Sequence, residues 1–208
     1  MRAWLLVFLC GLPTLASAVD DVAVGCYHLH LALDSGLSPG VLESAWASGE
    51  STSAAPAVLE LLGCSGEVLD HMKLAAPLAK LDPTPLRGTP FPTYLVSEDL
   101  TAAAGSYSGP LTLPIQVAGK HLVPAVARTA DGNVEAIHLP LTGKAAWKKV
   151  LARNADDLLA VSCQPQDNGF RVFYRRYHPT RHGWEVRLRS EPGLWESDGD
   201  FPTIRSFP

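Results

Sequence analysis

The chain has 208 residues, of which 47% are hydrophobic and 18% charged, and its formal net charge is −4. This composition excludes an intrinsically disordered chain and provides enough residues for one domain with a hydrophobic core. The acidic balance argues against a nucleic-acid partner, because proteins that bind nucleic acid in bulk carry an excess of Lys and Arg.

Residues 1–18 predict a secretory signal peptide. Arg2 supplies one positive charge, residues 5–10 form an apolar run, and Ala16-Ser17-Ala18 is a small-x-small cleavage site. The run is too short for a permanent transmembrane helix. We therefore expect a mature chain, residues 19–208, that is periplasmic or secreted and has no stable membrane insertion.

Three cysteines remain after removal of the signal peptide: Cys26, Cys64 and Cys163. An odd number in an exported protein leaves three possibilities open, namely one bridge with a free thiol, an intermolecular bridge, or no bridge. Cys26 and Cys64 both lie in the N-terminal part and are the predicted disulfide pair. Cys163 ends an apolar run typical of a buried strand, so we interpret it as a small core residue.

The N-terminal part, residues 19–92, is predicted to be mainly helical. Residues 22–33 fit both a helical stripe and the alternation of a strand, and the acidic pair before them favours the helix. Cap residues and glycines predict further helices, the last of them interrupted by Pro77. These helices cover residues 38–49, 54–62 and 65–81. Residues 82–92 hold four prolines and are interpreted as a surface connector.

From residue 93 to residue 190 the pattern changes to short alternating segments separated by turn residues. After a first short strand at residues 93–96, an amphipathic stretch, residues 143–153, predicts one helix between two sets of three strands. Strands are predicted at residues 93–96, 111–117, 121–128, 134–139, 158–163, 170–178 and 184–189. The fold class predicted from this order is α+β. In it, an N-terminal helical layer packs on an antiparallel, curved sheet, all within a single domain.

The densest chemical feature is a predicted hairpin, residues 171–189, that holds six arginines and one glutamate. Arginines interleaved with aromatic residues can hold a carboxylate, phosphate or sulfate, or an acidic patch on a protein. The alternative is a solvated sheet face whose arginines pair with nearby acids. The predicted binding residues are Arg171, Arg175, Arg176, Tyr177, His178, Arg181, His182 and Arg187.

The C-terminal tail, residues 191–208, carries acids and aromatic residues, and we expect it to fold back over this hairpin. Charge is also uneven along the chain. Residues 19–104 hold 3 Lys and Arg against 11 Asp and Glu, whereas residues 105–208 hold 13 against 10.

No motif assigns catalytic chemistry, and neither a cofactor nor a metal site is predicted. His28 and His30 would share a face on a strand but not on the predicted helix, and no third ligand is evident. The predicted function is therefore an exported, non-enzymatic binding protein for an acidic partner protein or an anionic small molecule. The alternative is an extracytoplasmic hydrolase or isomerase with a pocket between the helices and the sheet. Its acid or base would be Tyr177, His178 or His182, and its nucleophile Cys163.

Overall fold

In a computed structural model, which describes residues 21–33, 55–100 and 109–208, the chain is built almost entirely of β-strands. The described residues form fifteen strands and one short 3-10 turn, Ile204–Ser206, and contain no α-helix. Consequently no described helix has the length and apolar character needed to cross a membrane. The predicted α+β class with its helical layer is therefore wrong. The signal peptide and the helix predicted at residues 38–49 lie outside the described residues.

The first sheet has four antiparallel strands in the order β1-β2-β3-β4. They are β1 (Asp21–Val24), β2 (Tyr27–Ala32), β3 (Val58–Leu62) and β4 (Val68–Lys73). The predicted disulfide is confirmed, since Cys26 in the β1–β2 turn is bonded to Cys64 in the β3–β4 turn. Such bonds are typical of oxidising, extracytoplasmic compartments.

These strands replace the helices predicted at residues 22–33, 54–62 and 65–81. In β3, the fully buried Leu59 and Leu61 flank the partly exposed Glu60, which is the period of a strand. Leu and Glu favour a helix in isolation, but packing against a neighbouring sheet overrides that propensity. The same holds for β2, where Leu29 and Leu31 are buried, as in the strand interpretation that the sequence left open.

The second sheet has five strands, with the order β11-β7-β6-β5 and β8 paired to β7. They are β5 (Ala79–Leu81), β6 (Thr93–Asp99), β7 (Pro110–Ala118), β8 (His121–Pro124) and β11 (Leu139–Pro140). Tyr94 and Val96 pack with Leu59 and Leu61 in a first core, between the first and second sheets. Leu95 points the other way, into a second core. The second sheet is therefore the middle layer.

The third sheet has six strands in the order β10-β9-β15-β14-β13-β12. They are β9 (Val126–Arg128), β10 (Val134–Ala136), β12 (Ala145–Ala152), β13 (Ala155–Gln166), β14 (Gly169–Thr180) and β15 (Gly183–Pro192). The β15–β9 pair is parallel and the others are antiparallel. Its inner face contributes Leu158, Tyr177 and Trp184 to the second core.

The helix predicted at residues 143–153 is strand β12. Trp147 packs against the second core, whereas Ala146 and Val150 pack on the opposite face of the sheet. Because both faces of β12 are covered, its apolar residues do not alternate with polar ones. The resulting pattern imitates the stripe of an amphipathic helix, and this is the physical reason for the error.

Candidate functional site

The predicted arginine hairpin is formed by β14 and β15, and the pleat of β14 divides its arginines between two faces. Tyr177 belongs to the second core, so Arg175 lies with it on the inner face of the third sheet. Arg176 and His178 lie on the outer face. Arg187 of β15 joins them there, because it is directly opposite Arg176 in the strand pairing. The hairpin therefore presents two separate cationic surfaces.

A buried carboxylate, Asp157 on β13, holds the outer-face residues in place. Its side chain has no exposed surface. Oδ2 accepts a hydrogen bond from Arg176 Nε at 2.6 Å, and Oδ1 lies 2.6 Å from Nδ1 of His178. A buried carboxylate is unfavourable unless its oxygens are paired, and here both are. Because Nδ1 of His178 is committed to Asp157, Nε2 is the imidazole nitrogen left to meet a ligand.

A cavity of about 590 Å³ opens beside this pair. Arg153 reaches it from the β12–β13 turn, where its φ is 57°, and Arg181 reaches it from the β14–β15 turn. Both turns lie at the same end of the sheet, so their side chains converge with those of the strands. We call this cavity the Arg/His pocket and define it by four arginines and one histidine of its lining: Arg153, Arg176, His178, Arg181 and Arg187.

Positive charge in the Arg/His pocket exceeds negative charge. The side chains of Arg153 and Arg187 make no hydrogen bond or ion pair with any residue that the structure describes. The nearby acids are Glu185, which lines the pocket, and Asp157, which is already paired with Arg176. Unpaired guanidinium groups are strong donors to carboxylate, phosphate and sulfate oxygens. The arrangement can therefore hold an anion.

A second acid on β13, Asp156, fixes one wall of the pocket. Its Oδ1 accepts from Arg87 Nη2 at 2.8 Å and its Oδ2 from the Arg87 backbone N–H at 2.9 Å. Burial alone would raise the pKa of Asp156, but the hydrogen bonds and charge of Arg87 outweigh it and lower that pKa. Gly88 follows and packs so closely that a Cβ there would lie 2.5 Å from the Cβ of Ala155.

The other half of the outer face is covered by the C-terminal tail, as its aromatic residues predict. Phe207 packs edge-on against Tyr174 with ring centroids 5.5 Å apart, and Phe201 stacks on Phe207. Together with Trp195 they close a third core. Two of its acids are paired, since Glu196 lies 3.3 Å from Lys144 and Glu191 lies 2.5 Å from Arg189 of the hairpin. The tail thus does not cover the turn end of the face, where the Arg/His pocket lies.

The remaining predicted binding residues lie away from the Arg/His pocket. Arg175 is 4.0 Å from Glu135, which also accepts from the hydroxyl of Tyr177 at 3.3 Å. Burial, followed by the charge of Glu135, raises the pKa of Tyr177 far above its usual range. Arg171 bonds to Ser190 at 3.3 Å. His182 accepts from Arg181 at 2.8 Å and lines another cavity.

The residues of the hydrolase alternative are therefore separated. Cys163 is buried, with its thiol 3.8 Å from the carbonyl oxygen of Gly193 in the third core. Tyr177 faces the inner side and His182 a different cavity. The helices that were to form one wall of its pocket are strands, turns and irregular segments wherever the structure describes them. Of the four residues considered for this hydrolase, His178 alone lines the Arg/His pocket.

The histidine pair of the first sheet lies on β2, so His28 and His30 share a face after all. His30 Nδ1 is 2.7 Å from Asp21 across the β1–β2 pair. Within residues 21–33, 55–100 and 109–208, no group of three or more His, Cys, Asp or Glu side chains is placed to hold a metal ion.

Sequence reasoning missed Asp156 and Asp157. The available signal was two adjacent acids opening the apolar run of β13, an unfavourable place for carboxylates unless partners are supplied by the fold.

Comparison of the chain with protein-family models, curated proteins and solved structures found no match.

Proposed function

We propose that this protein is an exported, non-enzymatic binding protein that holds an anionic small molecule in the Arg/His pocket. The observation that supports it most concerns two guanidinium groups, Arg153 and Arg187, on either side of the Asp157–His178 pair. Neither group is paired within the part of the chain that the structure describes. In water-exposed sheets such side chains usually extend singly into solvent. Here they converge on one concavity.

The size and shape of the site favour a small ligand over an acidic patch of a partner protein. The volume of about 590 Å³ lies within the range of small-molecule sites, roughly 300–1,000 Å³. A protein partner would instead need a broad surface of about 800 Å² on each side. The ligand chemistry that we assign is a carboxylate, phosphate or sulfate on a compact molecule.

The compartment that we assign is the periplasm or the cell exterior. The predicted signal peptide and the Cys26–Cys64 disulfide both support export. Nucleotide cofactors are scarce outside the cytoplasm, and the mechanism proposed here requires none.

Calorimetric titration of the mature chain with inorganic phosphate, sulfate and citrate tests the proposal. We expect at least one anion to bind, with affinity that falls as salt is added. Arg187→Ala should weaken binding about tenfold or more, because a charge-assisted hydrogen bond contributes about 1.5–3 kcal/mol. Arg171→Ala is the matched control, since it removes the same side chain from the same hairpin away from the pocket.

Equal effects of the two substitutions would contradict the proposal, and so would the absence of binding to all three anions. The same titration with a poly-glutamate peptide distinguishes a small ligand from an acidic protein partner. If the peptide bound in an Arg187-dependent manner while the small anions did not, the pocket would belong to an acidic protein partner and the small-ligand proposal would be overturned.

One observation favours a second candidate function, an extracytoplasmic hydrolase. The Asp157 carboxylate orients His178, as acids do for catalytic imidazoles, so that Nε2 would take a proton from an attacking water. We expect such an enzyme to cleave p-nitrophenyl phosphate or acetate and to lose about 10²-fold or more of that rate in His178→Gln. His182→Gln is the control. A rate at the buffer level, or one that His178→Gln leaves unchanged, excludes this candidate.

A further inference from the structure

The β14–β15 turn separates the Arg/His pocket from a second cavity of about 310 Å³ on its other side. We call it the Trp184 cleft. It has an apolar wall of Phe91, Val126 and Val134, a polar rim of Arg128, Arg181 and His182, and Trp184 as a buried lining residue. Arg181 is the one residue among the described linings that borders both cavities.

The apolar wall is unusually exposed. Phe91 is 45% exposed, Val126 48% and Val134 57%. Single exposed apolar side chains are common on soluble proteins, but several that converge on one concavity mark a binding surface. The connector that holds Phe91 and the β9–β10 pair that holds the two valines come from distant parts of the chain. The apolar wall is therefore formed by tertiary contacts between distant segments and not by one local stretch of sequence.

The rim is positively charged and has no acid within the cleft lining. The guanidinium group of Arg128 donates to the carbonyl oxygen of Gly132 at 3.4 Å and to no carboxylate of the described residues. Arg181 donates to the His182 ring at 2.8 Å. Positive charge beside an apolar wall is complementary to a molecule that carries one anionic group on an apolar body.

Trp184 provides an independent observation. The residue is 2% exposed, and its indole Nε1 is buried without a hydrogen-bond partner among the described residues. Nearly all buried polar groups in proteins are paired, so an unpaired donor on a residue that lines a cavity is a group that the acceptor of a bound ligand would satisfy. Side-chain rotations of the size common on ligand binding would open this N–H to such an acceptor.

We infer that the Trp184 cleft binds a compact amphiphilic carboxylate. Its apolar body would lie on Phe91, Val126 and Val134, and its carboxylate would accept from Arg128 and from the N–H of Trp184. The volume is near the lower end of the range for small-molecule sites, which favours a short chain or a single ring. This site is separate from the Arg/His pocket, which is lined by four arginines.

Calorimetric titration of the mature chain with octanoate, octanamide and acetate tests the inference. We expect octanoate to bind and octanamide to bind at least tenfold more weakly because it lacks the charge. Acetate, which lacks the apolar body, should show no binding that Arg128→Gln weakens. Arg128→Gln should weaken octanoate binding at least tenfold. Arg187→Gln, which alters only the Arg/His pocket, should leave it unchanged.

The tryptophan fluorescence change on addition of octanoate should disappear in Trp184→Phe. Octanamide binding as tight as octanoate, or octanoate binding that Arg128→Gln does not weaken, overturns the inference. So does the absence of octanoate binding to the wild-type protein. Failure of the Arg/His pocket proposal is distinguishable, because it is measured with phosphate and Arg187 variants.

Discussion

At the scale of single residues, Asp157 explains why neighbouring arginines on one hairpin differ in their availability to a ligand. Arg176 is held by the buried carboxylate at 2.6 Å. The side chain of Arg187, which lies directly opposite on β15, has no hydrogen-bond or ion-pair partner among the described residues. Replacing Arg176 would leave a charge buried without its partner, and any loss of binding would be confounded by lost stability. Arg187 is therefore the residue whose substitution reports on binding alone.

Asp156 gives a prediction on acid stability. Its pKa is lower in the folded than in the unfolded chain, because Arg87 stabilises the ionised carboxylate. The stability this contributes is fully present above about pH 4, the unfolded pKa, and is lost as the pH falls through the lower, folded pKa. We expect Asp156→Asn to lower the free energy of unfolding at pH 7 by about 1–2 kcal/mol, with a smaller difference from wild type at pH 2.

Urea unfolding of the variant and of the wild-type protein at pH 7 and pH 2 measures the difference in free energy of unfolding at each pH. Asp167→Asn is the control, since Asp167 is exposed in the β13–β14 turn. A difference between Asp156→Asn and wild type that stays constant over this range would contradict the assigned role of the Arg87–Asp156 pair.

At the scale of secondary-structure elements, strands were predicted correctly from the sequence where the residues fit strand alternation and do not also fit a helical stripe. β14 and β15 alternate clearly and are joined by a two-residue turn at residues 181–182, so both were predicted close to their observed places. β12 is covered on both faces and β3 is rich in helix-favouring residues, so both imitate helices. The partners of Asp157 come from β14, and no local pattern encodes that pairing.

The C-terminal tail gives the prediction at this scale. Phe207 is 6% exposed and fills the third core, so Phe207→Ala should lower the free energy of unfolding by about 3 kcal/mol. Ile204→Ala is the control, because Ile204 in the same tail is exposed and should change stability by less than about 0.5 kcal/mol. Chemical denaturation measures both variants. Equal, small effects would mean that the tail does not stabilise the sheet.

At the scale of the whole molecule, three sheets lie in layers and the C-terminal tail adds a fourth over part of the third sheet. The tail covers one end of the outer face and leaves the turn end open, where the residues of the Arg/His pocket converge. Local sequence patterns predicted export, a hairpin rich in arginine and a C-terminal tail that covers it. It did not predict the layer order, which depends on contacts between distant strands.

The most direct test of the central claim locates a bound anion within the molecule. Nitrogen-15 NMR of the mature chain follows the side-chain signals of Arg187, His178 and Arg171 while inorganic phosphate is added. We predict that the signals of Arg187 and His178 shift together and saturate, while that of Arg171, outside the pocket, stays in place. Equal shifts of both arginines, or no saturable shift of Arg187, would contradict anion binding in the Arg/His pocket.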